Sequence, residues 1–219
     1  IQAYSLSVLE LDGLKFSDYQ LTVTGLLISI CFYCISRGEP IERLSRERPV
    51  NNILNVYVFG SIMTQTALHI ARMYYIQQVT TAIEPLGDID LDAKFTPSLL
   101  NTAVFLLTLS QTVSTFSVNY IGRPWRESIP ENKALYYGLL GASAIAYLGA
   151  LELMPELNQW LQLTKLAHEY QTQLVAAMII DFINETDEGM LPVYDGIEVS
   201  PLDLTSLSQR VNRIVHDNW

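Results

Sequence analysis

Five long apolar tracts decide what this chain can fold into. They lie at residues 18–37, 54–76, 97–118, 134–153 and 166–184, each close to the 20 or so residues that a helix needs to cross the ~30 Å hydrocarbon core of a bilayer. Hydrocarbon offers no water to a free backbone amide, so such tracts fold as helices that close their own hydrogen bonds. A water-soluble bundle would need a polar face along each surface helix, and stretches 26–35 and 142–151 carry none. Residues 1–11 read as the end of a further span. The chain opens inside that tract without a basic n-region or a cleavage site, as a piece of something longer does. The expected fold is all-α: a polytopic transmembrane helix bundle over residues 1–184, holding the end of one span plus about five full spans. A short cytosolic tail, 185–219, follows.

Charged residues make up 16% of the chain, where a typical soluble domain has roughly a quarter. The net charge is −10, yet the sign of each loop says more than the sum. Residues 37–53 hold Arg37, Arg43, Arg46 and Arg48, and residues 119–133 hold Arg123, Arg126 and Lys133; the alternate loops offer only Lys15, Lys94 and Lys165. The positive-inside rule puts the basic loops in the cytosol. The loop with Glu84, Asp88, Asp90 and Asp92 then lies on the far side, and the tail returns to the cytosol. Within the tail, Leu204, Leu207, Val211, Ile214 and Val215 recur at near-helical spacing after a turn-rich start, which predicts a short helix. No basic stripe with interleaved aromatics suggests a nucleic-acid partner. The partner that composition implies is lipid.

Polar residues inside spans are costly and usually face the bundle or a cavity. Gln20, Thr24 and Ser29 sit in the first tract, with Asp18 at its mouth, where either a favourable helix-dipole contact or a place on a substrate path suits a carboxylate. In the second tract Gln65, His69 and Arg72 fall at i, i+4 and i+7 and share a face. A proton relay through His69 is one reading. The other has Arg72 reaching to the interface while Gln65 and His69 bond to neighbouring helices; no Asp or Glu within this tract completes a relay. Asn101, Thr108, Thr112, Thr115 and Asn119 form a stripe on the third tract, whose first turn suits Pro97. Gly138, Ala142, Ala146 and Ala150 recur every fourth residue on the fourth, as close helix packing requires. Asp181 is expected near the cytosolic end of the last, partly hydrated. Cys31 and Cys34 have C-x-x-C spacing but too few companion ligands for zinc, and read as small apolar residues; no metal site is expected. Neither a glycine-rich phosphate loop nor an Asp-Lys-Thr-Gly sequence is present, so no catalytic residue is expected in this chain.

Several ordered pieces resemble the type V, subfamily A P-type ATPases, the endoplasmic-reticulum transmembrane-helix dislocases. Ala3-Tyr4-Ser5-Leu6-Ser7-Val8-Leu9 with Asp12-Gly13-Leu14-Lys15 resembles the end of the fifth core span and its hairpin. Gly25-Leu26-Leu27, Cys31-Phe32, Ile35-Ser36-Arg37, Pro40 and Ser45-Arg46-Glu47-Arg48-Pro49 resemble the sixth span and its cytosolic loop. Phe95-Thr96-Pro97-Ser98-Leu99-Leu100-Asn101 opens a span as in the family. The most specific piece is Val118-Asn119-Tyr120-Ile121-Gly122-Arg123-Pro124-Trp125-Arg126-Glu127-Ser128, followed by Glu131-Asn132-Lys133. Glu10 departs from the pattern, standing where an aromatic residue is expected, and the tail from residue 185 has no counterpart.

The resemblance implies the C-terminal membrane part of a protein that uses ATP and Mg²⁺, bound by upstream catalytic domains, to extract mistargeted transmembrane helices from the endoplasmic-reticulum membrane. Its clients would be transmembrane-helix or tail-anchored proteins. It also implies a groove open to the lumen and to lipid, with the sixth span in its wall, which makes Asp18, Gln20, Thr22 and Thr24 the candidate groove residues. Two other readings stay open: a non-catalytic membrane scaffold, and an ion-coupled carrier using His69 and Arg72.

Overall fold

A computed structural model describes residues 1–42, 56–85 and 94–189. These form helices α1 (Gln2–Leu11), α2 (Asp18–Ser36), α3 (Val56–Ile83), α4 (Leu99–Asn119), α5 (Lys133–Ala150), α6 (Pro155–Trp160) and α7 (His168–Gly189). No strand occurs among the described residues, beyond one isolated bridge between Pro40 and Arg126. The five apolar tracts each correspond to one long helix, and α1 lies within residues 1–11, the stretch read as the end of a further span. The basic residues Arg43, Arg46 and Arg48, the acidic residues Asp88, Asp90 and Asp92, and the tail helix expected at 204–215 lie outside the described residues.

By length and composition, two of the described helices are long and apolar enough to cross a membrane, Asp18–Ser36 and Leu99–Asn119. The other three long helices fall short of the five expected spans for legible reasons. α3 carries Gln65, His69, Arg72, Gln77 and Gln78; α5 carries Lys133 and three tyrosines; α7 has charged residues towards both ends.

α4 is the axis of the bundle. It packs against α1, α2, α3, α5 and α7, and its first four turns are buried on every side, the polar residues Asn101, Thr102, Thr108 and Gln111 included. Val104, Phe105, Leu106 and Leu107 join Leu9, Met73, Ile76, Tyr170, Leu174 and Met178 in the main core. A second cluster packs Cys31 and Cys34 against Val113, Leu135, Leu139 and Ala142. Both cysteines are free and act there as the small apolar residues their surroundings suggest. The small-residue stripe of α5 also packs as expected: Ala142, Ala146 and Ala150 are buried, while Gly138 is half-buried. Gly149 lies against α4 so closely that an added Cβ would meet Leu106 Cδ2 at 3.0 Å.

Local chemistry fixes the helix starts. Ser17, not Asp18, caps α2: its hydroxyl accepts from the Gln20 amide at 3.2 Å while the Ser17 amide donates to Gln20 Oε1 at 3.1 Å, a reciprocal capping box. Asp18 stays exposed in the first turn, where the helix dipole favours a negative charge. Ser98 caps α4 by accepting from the Asn101 amide at 3.1 Å, so Pro97 precedes the cap instead of occupying the first turn. A second donor at that end, the Leu99 amide, is met by Glu84 Oε2 at 3.0 Å.

The loop between α4 and α5 is tied to the end of α2. Glu127 N donates to Glu39 O at 3.1 Å and Ile41 N to Trp125 O at 3.4 Å. Asn132, which caps α5, donates from Nδ2 to Cys34 O at 3.1 Å. Tyr120 Oη closes the loop on Glu127 O at 2.9 Å. Two segments joined by contacts 84 to 98 residues apart in sequence thus form one clamp.

Candidate functional site

Two features of the bundle carry chemistry, a buried polar seam and a small cleft. The seam lies where α3, α4 and α7 meet. Gln65 and His69 are one turn apart on α3 and both face inward, buried. Gln65 Oε1 accepts from Asn119 Nδ2 at 3.1 Å and Gln65 Nε2 donates to Ser61 Oγ at 3.2 Å. The i, i+4 spacing that united Gln65 and His69 in the sequence therefore holds in the bundle.

His69 is the centre of the seam. Its Nδ1 lies 3.2–3.3 Å from the Asp181 carboxylate. Its Nε2 contacts Glu185 Oε1 directly and lies 3.2 Å from Thr115 Oγ1. Gln111 Nε2 donates to His69 O at 3.1 Å and lies 3.5 Å from Asp181 Oδ1. His69, Asp181 and Glu185 are 5%, 1% and 0% exposed, so two carboxylates share one imidazole away from solvent. Glu185 Oε1 accepts a hydrogen bond from Nε2 only when that nitrogen carries a proton. Glu185 Oε2 and Gln111 Oε1 have no hydrogen-bond partner among the described residues.

Two sequence expectations change here. Asp181 is not partly hydrated at a helix end: it is buried against His69 because α7 continues through Gly189 instead of stopping at residue 184. For the same reason Glu185 belongs to the bundle and not to the tail. Arg72, grouped with Gln65 and His69 by spacing, is half-exposed and makes no ion pair among the described residues. The carboxylates missing from α3 come from α7, at i and i+4 on one face. That spacing was visible in the sequence; the partner helix was not.

The cleft lies between α1, α2 and α4 and encloses about 110 Å³. Gln2, Ser5, Gln20, Thr24 and Thr108 supply its polar lining, and Phe16 and Phe105 are among its apolar walls. Of the four candidate groove residues, the structure brings Gln20 and Thr24 together there. Asp18 and Thr22 are exposed on the outer side of α2, where Thr22 Oγ1 donates to Asp18 O at 2.7 Å. Gln20 is also a brace, donating from Nε2 to Asn101 Oδ1 at 2.9 Å and to Leu161 O at 3.1 Å. Asn101 Nδ2 in turn reaches Lys15 O at 2.8 Å. Thr108 Oγ1 is buried without a hydrogen-bond partner among the described residues.

ATP and Mg²⁺ do not fit this donor set. The chain has no Asp-Lys-Thr-Gly or glycine-rich phosphate loop, so nucleotide chemistry has no residues here to act through.

No protein-family model matches the chain. Three fungal proteins named endoplasmic reticulum transmembrane helix translocase are similar to it over 183 residues: one of Schizosaccharomyces pombe at 54% identity, one of Aspergillus fumigatus at 52% and one of Saccharomyces cerevisiae at 48%. Each match covers 83% of this chain, and the chain spans 14–15% of the length of these relatives.

Proposed function

Because the chain belongs to the type V, subfamily A P-type ATPases, we propose that it is the C-terminal membrane part of an ATP-driven translocase that extracts mistargeted transmembrane helices from the endoplasmic-reticulum membrane. The observation that carries the proposal is the 48–54% identity with three translocases across 183 residues. ATP hydrolysis and Mg²⁺ binding belong to catalytic domains outside this sequence. The partners of this part are lipid, those domains, and client helices.

The distribution of polarity supports a bilayer setting with five full spans. Large apolar side chains lie exposed on every long helix except α4: Leu26 and Phe32 on α2, Phe59 and Met63 on α3, Tyr137 and Leu140 on α5, Ile180 and Ile183 on α7. Polar and charged groups such as Gln20, Gln65, His69, Asn101, Gln111 and Asp181 are buried. Water would favour the reverse arrangement, whereas hydrocarbon favours polar groups turned inward. In this reading the basic loops 37–53 and 119–133 face the cytosol, as does the tail.

Within the translocase, α2 forms part of the client groove. Gln20 and Thr24 would contact a client from the cleft beside α1, with Asp18 and Thr22 at the lipid-facing margin. A polar cleft edge suits a client whose flanking residues are polar, since hydrocarbon would strand them. The test is site-specific photocrosslinking in the intact protein, with the probe at each of positions 18, 20, 22 and 24 and a tail-anchored client supplied. ATP-sensitive adducts from 20 and 24 are expected. Client-stimulated ATPase activity with no adduct from any of the four positions removes α2 from the groove wall. Absence of client-stimulated ATPase activity removes the translocase reading itself.

A further inference from the structure

Two carboxylates and one imidazole, all buried, do not balance in charge. An imidazolium offsets one carboxylate and leaves the other uncompensated, an expensive state inside a helix bundle. Arg72 does not join the group. The arrangement of the nitrogens sharpens the problem. With the Nδ1 proton donated to Asp181, Nε2 presents a lone pair to Glu185, and two electron-pair donors face one another.

We propose that a divalent transition-metal ion resolves this opposition: His69 Nε2 and the Glu185 carboxylate ligate it, and Asp181 holds the imidazole from Nδ1, so that the ion pins α3 to α7. A 2+ charge neutralises both carboxylates while His69 stays neutral. Mixed imidazole and carboxylate ligands suit ions such as Zn²⁺ and Mn²⁺. A carboxylate on the far ring nitrogen is the usual outer partner of a metal-bound histidine, fixing its tautomer and orientation. Each of the three residues offers a ligand atom within 4.8 Å of the others. Atoms bound at about 2.1 Å to one ion lie about 3–4 Å apart, and His69 Nε2 and Glu185 Oε1 are in direct contact, so the two side chains turn apart to admit it. Thr115 Oγ1, 3.2 Å from Nε2, is a neutral oxygen at hand, and Gln111 Oε1 is a buried acceptor without a hydrogen-bond partner among the described residues. Thr115 also lines a crevice of about 380 Å³ that runs past Asn119 and Tyr120 to Arg126. The site is independent of the translocase reading.

The experiment uses the intact protein in detergent, stripped with EDTA and reloaded with Zn²⁺ or Mn²⁺ in the absence of nucleotide. Metal content is measured by mass spectrometry after gel filtration. Wild-type protein is expected to keep one equivalent more than Glu185→Gln, a difference that cancels ions held at the catalytic Mg²⁺ sites. Asp181→Asn should weaken binding about 10- to 100-fold, as loss of an outer partner does. Should the variants fail to fold, the wild-type melting midpoint decides: it should fall on stripping and recover on reloading, because an ion that binds only the folded state stabilises it. Equal metal in wild type and Glu185→Gln, or a midpoint indifferent to stripping and reloading, overturns the site and leaves protons to balance the charge.

Discussion

Arg123 and Glu131 face one another in the α4–α5 loop, and their pairing has a consequence for pH. The guanidinium of Arg123, followed by the Ser128 amide at 2.7 Å and hydroxyl at 2.8 Å, holds the Glu131 carboxyl down to about 2 from its ordinary 4.5. A depressed carboxylate contributes stability that is complete above the unfolded value and fades as pH falls from about 4.5 through about 2. Both side chains are largely exposed, so solvent screening keeps the effect small. Carboxyl-carbon NMR of the labelled glutamate should place its midpoint near 2, and Arg123→Ala should move it towards 4.5; an unmoved midpoint removes the guanidinium as the cause. Gln20 makes a second residue-scale prediction. Gln20→Leu strands Asn101 and the Leu161 carbonyl, and stranded buried polar groups cost about 1–3 kcal/mol each. A lower midpoint in denaturant should report the loss; an unchanged one means the brace carries little.

At the scale of elements, close packing sets the sensitivities. Ala146 is fully buried on the small-residue face of α5, and overpacking such a position costs about 1–3 kcal/mol. Ala146→Leu should therefore lower the unfolding midpoint, while Leu140→Ala on the exposed face of the same helix should not. Gly122 is more constrained. A Cβ there would lie 2.9 Å from both Glu127 O and Ser128 Cα, backbone atoms that cannot rotate aside. Gly122→Ala should open the loop clamp on α2 and lose about 0.5–3 kcal/mol. Limited proteolysis within residues 120–132 checks this: cleavage should quicken in the variant, and wild-type rates would mean the loop repacks freely.

The described helices bury many polar side chains and expose large apolar ones, and that predicts the solubility of the whole molecule. Exposed side chains such as Phe32, Phe59, Tyr137, Leu153 and Ile183 form far more apolar surface than a water-soluble monomer usually presents. Gel filtration should give one symmetric species in detergent and aggregates after detergent removal. A monodisperse species in plain buffer would withdraw the bilayer setting and the five-span arrangement with it.

Much of the helical framework was legible in the sequence. Helix position follows from local composition: apolar tracts of membrane length and small residues at every fourth position of α5 each act within a turn or two of chain. Kinship was legible as well, since the segment around Tyr120–Arg126 is distinctive as a string. The seam was not. His69 and Asp181 are 112 residues apart, and no local pattern tells a helix which neighbour will face it. Spacing grouped Arg72 with His69 because both lie on one side of α3, yet a helix side is broader than a contact. Only the packing of α7 along α3 and α4 put Asp181 and Glu185 against that imidazole and left Arg72 outside. Helices are determined by neighbours in sequence, and buried charge clusters by neighbours in space.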